Sequence, residues 1–116
     1  MTFDEYVVVR LVRPPNWAPM APEQEAATQD AHLAHLAELH DRGILLAAGP
    51  AGDPAGHVRG FAVLSCTAAE AEALMAEDPA VLAGRFVADC VGWSVPAGVL
   101  VAGPGTLPRS VADVLG

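Results

Sequence analysis

Residues 22 to 42 limit what this chain can fold into more than any other stretch, because they form a long amphipathic helix with a hard stop. Pro22 suits the first helical position, and Glu23 and Glu25 sit well at the positive helix end. The spacing predicts a helix to about Arg42, with Gly43 as its left-handed terminator. A strand over residues 44–48 follows at once and is ended by Gly49-Pro50. At about 100° per residue, with Leu33 at zero, Leu36 falls at about 300°, Leu39 at about 240° and Ala26 at about 20°. That buried arc takes in His32 at about 260° and His40 at about 340°, while His35 at about 200° lies on its boundary. A helix with one apolar arc needs a surface to lie on.

The flanking sequence supplies one. Tyr6 to Val12 is β-branched and reads as a strand, with Val7, Val9 and Leu11 on one face and Tyr6, Val8, Arg10 and Val12 on the other. Residues 14–22 hold four prolines in nine positions, so they form a stiff loop. Trp17 and Met20 in that loop can plug the core, line a ligand pocket or meet a second subunit. Residues 49–60 are rich in Gly, Pro and Asp and read as a surface loop with a solvated His57. Phe61 to Cys66 is a third strand. Thr67-Ala68-Ala69-Glu70 is a capping box that opens a second helix burying Ala71, Leu74 and Met75. Asp78-Pro79 ends that helix, and Phe86 to Val95 is a fourth strand. The core is expected from Ala, Val and Leu, since aromatics are only 5% of the chain.

Strand, helix, strand, strand, helix, strand is the order of an α+β, ferredoxin-like βαββαβ domain over residues 1–97. Residues 98–116 are then an extension, in which Val99-Leu100-Val101 offers a further edge strand. The four-stranded antiparallel sheet carries both helices on one face. Its other face, rich in Ala and Val, needs a cover, and a twofold homodimer is the simplest one.

The net charge of −8 argues against a nucleic-acid partner, and no run of basic residues offsets it. It favours a small ligand that is uncharged or is met by a local cation. No apolar run approaches the roughly 20 residues that span a bilayer, and the N-terminus lacks the basic start of a signal peptide. A cytoplasmic protein without membrane contact is expected. Cys66 and Cys90, outside any Cys-x-x-Cys motif, read as buried free thiols. The three helix histidines lack i,i+4 ligand spacing, so no metal is expected. No phosphate loop or dinucleotide motif points to a cofactor, and no Ser or Cys sits in a nucleophile motif.

Proton transfer by a histidine with a carboxylate is the chemistry left. His32 falls between two leucines and must satisfy its ring nitrogens, either on a backbone carbonyl or on a carboxylate. Asp78 ends the second helix, which lies beside the first; it is either the partner of His32 or only an Asp-Pro turn. Asp89 in the fourth strand reads as an edge residue. Arg10 either snorkels at an edge or meets an anion.

Ala31-His32-Leu33-Ala34-x-Leu36, Gly43-Ile44-Leu45-Leu46-Ala47-Ala48-Gly49-Pro50 and Glu77-Asp78-Pro79-x-x-x-Ala83-Gly84 occur here in that order. Together they resemble the YCII-related (YciI-like) family, over residues 6 to 95. The resemblance implies a ferredoxin-like fold, dimers related to the dimeric α+β barrels, and a site built on a His–Asp pair, here His32 and Asp78. It also implies cofactor-independent lyase or isomerase chemistry on small, often aromatic or lactone-like compounds. On that reading His32 is general acid or base, Asp78 orients it, Gly49 and Pro50 border the substrate pocket, and Trp17 and Arg10 contribute to binding. The rival reading is a non-catalytic small-ligand or accessory module in which the pair only locks two helices together.

Overall fold

The computed structural model describes all 116 residues. Strands β1 (Phe3–Val12), β2 (Leu45–Pro50), β3 (Val58–Leu64) and β4 (Val87–Pro96) form one sheet in the order β2-β3-β1-β4. Every neighbouring pair is antiparallel. Helix α1 (Pro22–Asp41) joins β1 to β2, and α2 (Ala68–Ala76) lies between β3 and β4. Both pack on one face, which is the expected α+β, ferredoxin-like arrangement. Two short helices extend it: α3 (Pro79–Leu82) and α4 (Val111–Leu115).

Val7, Val9 and Leu11 point at the helices and are almost fully buried, as the strand alternation requires. They meet Leu36 and Leu39 of α1, Ala71 and Met75 of α2, and Leu45, Ala62 and Leu64 of the sheet. Burying a side chain such as Leu39 or Met75 contributes roughly 1.5–3 kcal/mol. On α1 the buried residues are His32, Leu36, Ala37 and Leu39. Ala26, expected inside, is exposed because the first turns of the helix overhang the core.

Local signals fix the helix ends. At Gly43 (φ 75°) the Ile44 amide bonds the Leu39 carbonyl and the Gly43 amide bonds that of His40. This is a Schellman closure, which only a residue at ease in the left-handed region accepts cheaply. The capping box of α2 forms as expected: Thr67 Oγ1 accepts from the Glu70 amide and Glu70 Oε1 accepts from the Thr67 amide.

Three expectations need correction. β2 does not stop at residue 48 but runs on through Gly49 to its last residue, Pro50, and these two pair opposite Phe61 and Gly60. Proline is tolerated there because β2 is an edge strand. The loop is accordingly shorter, and Asp53 organises it by accepting from the amides of Ala55, His57 and Val58. Val99-Leu100-Val101 adds no strand, because a turn at Gly98 (φ 81°) folds this segment back across the sheet. There the Tyr6 hydroxyl donates to the Leu100 carbonyl at 3.3 Å. Finally, Cys66 and Cys90 are free but only half-buried.

The tail then crosses to the helical layer. The Val111 amide donates to Asp30 Oδ1 at 2.8 Å, and Arg109 pairs with Asp41, so α4 is fastened to α1 at two points. On the other sheet face, Val8, Val63 and Val91 form one cross-strand row, and Arg10, Phe61 and Asp89 the next. Phe61, Val91 and Trp93 are about half-exposed on it.

Candidate functional site

The apolar arc of α1 carries His32 into the interior, where its side chain is 7% exposed. Asp78 meets it there. Helix α2 stops before Pro79, and Asp78 takes an extended backbone and caps α3, its Oδ1 accepting from the Ala80 amide at 2.9 Å. The other oxygen, Oδ2, lies 2.7 Å from His32 Nδ1. The Asp78 side chain is wholly buried. A carboxylate only accepts, so Nδ1 carries the proton and Nε2 is left with a free lone pair when the ring is neutral. No protein group bonds Nε2, and the ring borders a cavity.

That cavity, about 480 Å³, lies between α1, the ends of β1 and β2, the start of β3 and the tail. Its size suits a small organic ligand. Leu33, Leu36, Ala48 and Phe86 make its wall apolar, and Leu107, Val111 and Val114 of the tail close one side. Phe86 packs on the imidazole with ring centroids 5.3 Å apart and planes tilted by 58°. Gly60 leaves room for the neighbouring strand, since a Cβ there would sit 3.1 Å from the Gly49 carbonyl oxygen and the β2 backbone would have to yield by a few tenths of an ångström.

Residues 5–91, three-quarters of the sequence, match the YCII-related domain. The chain belongs to the YCII-related family. No curated protein matches this family member. A similar solved structure is 5-chloro-2-hydroxyhydroquinone dehydrochlorinase (TftG) from Burkholderia phenoliruptrix AC1100, in complex with 2,5-dihydroxybenzoquinone. The two chains are 20% identical, with a TM-score of 0.49, over 77% of this chain and 90% of that one.

In this YCII-related domain, His32, Gly49 and Pro50 border the large cavity and Asp78 stands behind His32. Trp17 does not reach it. It lines a neighbouring cavity of about 290 Å³, where the Arg13 and Arg85 guanidinium groups lie over its ring at 4.4 and 4.9 Å. Arg10 points to the opposite sheet face and pairs with Asp89 at 2.7 Å, away from both cavities. His35 and His40 each bond a backbone carbonyl, of Leu74 and Leu45 respectively.

Sequence reasoning missed Phe86, Gln29 and Arg59, which border both cavities, and Arg13 and Arg85, which border the smaller one. A signal for Arg85 and Phe86 was present: Gly84 (φ 74°) closes α3 with a second Schellman pair, so the residues after it are delivered to a fixed place. Arg13 Nε is sealed from solvent without a partner, which costs roughly 1–3 kcal/mol.

Proposed function

We propose that this protein is a small-molecule enzyme of lyase or isomerase type that moves a proton without a cofactor. The observation that carries the reading is the 2.7 Å contact of His32 Nδ1 with Asp78 Oδ2 beside a cavity that Nε2 can face. Nε2 takes a proton from a carbon of the bound compound, and the electron pair of that C–H bond forms a new double bond. In an elimination a leaving group departs with its own pair; in an isomerisation His32 returns the proton to another carbon. The imidazolium formed in between is stabilised by Asp78, which also keeps Nδ1–H fixed in the productive tautomer. Such a base contributes about 10²–10⁴ in rate. Apolar walls favour a ring compound, and Phe86 gives it a face on which to stack.

We also propose that the half-exposed face bearing Val8, Phe61, Val91 and Trp93 is covered by a second copy of the chain. Burying such a patch removes apolar surface from water on both copies at once.

The test of the base is exchange of acidic C–H protons in D₂O across a panel of cyclic enones and lactones, followed by proton NMR. Catalysed exchange by the wild type that falls at least a hundredfold in His32→Gln, with the fold retained, supports the assignment. Equal exchange by both proteins refutes it.

A further inference from the structure

Six basic residues stand against fourteen acidic ones in this chain, and all six are arginines. The fold nevertheless brings three of them, Arg13, Arg59 and Arg85, to the smaller cavity. Glu25 is the one acid that borders it. Glu25 contacts Arg85 at 3.4 Å and is itself 58% exposed. Neither Arg13 nor Arg59 has a carboxylate within 4.0 Å. These two are neighbours: a Cβ on Gly56 would sit 3.8 Å from Arg59 Nη1 and 4.0 Å from Arg13 Nη2.

Gathering like charges is unfavourable, and doing so in a chain with surplus carboxylates leaves the counter-charge to come from outside. The groups are also held in place. Arg13 and Arg85 stack on Trp17, and Arg85 Nη1 donates to the Ala18 carbonyl at 2.9 Å. Arg13 Nε, sealed without a partner, marks the same spot as short of an acceptor. A guanidinium fork matches a carboxylate in both geometry and charge.

We propose that this arginine cavity is the carboxylate subsite of the His32 pocket, so that the compound acted on is a small ring-bearing carboxylic acid. The inference rests on the reading of the His32 cavity as the ligand pocket. Gln29, Arg59 and Phe86 border both cavities, so a molecule with its ring against Phe86 can extend its carboxylate past Arg59 toward Arg13. Gln29 lies one helical turn before His32 on the same helix, at the boundary between the two cavities.

The test is an NMR titration of the full chain with benzoate and with benzamide, its neutral isostere. Benzoate is expected to bind roughly tenfold to a hundredfold more tightly, the range for a hydrogen bond to a charged group. It should shift the Phe86 and His32 signals together with those of Arg13 and Arg59. Arg59→Gln, on an exposed side chain, should abolish the preference with the fold intact, and Arg13→Gln should do the same. In His32→Gln the preference should persist, so failure of the proton-transfer reading is separable from failure of this one. Equal binding of the two compounds, or a preference that survives both arginine substitutions, overturns the subsite. So does inorganic phosphate that shifts the arginine signals as strongly as benzoate while His32 stays unmoved, because the site then serves free anions.

Discussion

Asp78 uses one oxygen on His32 and the other on the Ala80 amide while wholly buried, so its loss strands two donors at once. Asp78→Ala is expected to cost about 3–5 kcal/mol in urea unfolding, as for a broken buried pair, and Asp78→Asn clearly less. The cysteines make a second residue-scale case. Burial first, and then nearby carboxylates, Glu70 for Cys66 and Glu72 and Asp89 for Cys90, push both thiols above the ordinary value. Alkylation by iodoacetamide at pH 7 should therefore be slower than for a free thiol and should rise steeply only in alkali. Asp53 shows the opposite shift. The Val58 amide, then those of Ala55 and His57, favour its ionised form and hold the folded pKa below 3.8. The unfolded chain binds that proton more readily, so this stabilisation is full above about pH 4 and is lost as acid titrates the folded group. Asp53→Asn should flatten the acid limb of a stability-against-pH curve. His32 and Asp78 could be singled out in the sequence because the helical arc and the Asp-Pro step are local patterns. The arginine cavity could not, since residues 13, 59 and 85 share no periodicity and meet only through the fold.

Elements whose signals are short-range proved the most readable. Gly43, the Thr67–Glu70 box and the alternation of Val7, Val9 and Leu11 each depend on residues within a few positions, and each forms as expected. Helix α3 was harder to read, because Pro79–Leu82 is one turn and has no periodicity of its own. Its two ends were nonetheless written in the sequence, as Asp78 before Pro79 and as Gly84. Gly84→Ala is expected to cost about 1–2 kcal/mol through left-handed strain alone, since nothing lies within 4 Å of the added methyl. Because Arg85 and Phe86 follow directly, amide shifts at both should accompany the loss, whereas Gly43→Ala should destabilise without disturbing them. The extent of β2 was misjudged because Gly-Pro normally breaks a strand, and only its place at the sheet edge makes it acceptable.

At the scale of the molecule, the order of elements was enough to give the topology, while the covering of its surfaces was not. If a second copy covers the outer sheet face, Trp93→Glu should turn a dimer into a monomer by light scattering at micromolar concentration, with the circular dichroism unchanged. Residues 102–115 read as featureless because they are small, apolar and rich in Gly and Pro, yet they close the His32 cavity through Leu107, Val111 and Val114. The Arg109–Asp41 pair and the Val111–Asp30 contact hold that wall against α1 from outside the core. Of these residues only Leu107 packs on the ten-residue core that stabilises the domain. Selection for a different ligand can therefore act on a handful of tail positions while folding is left to the sheet and helices, so two copies of one ancestral domain can diverge in diet without diverging in architecture.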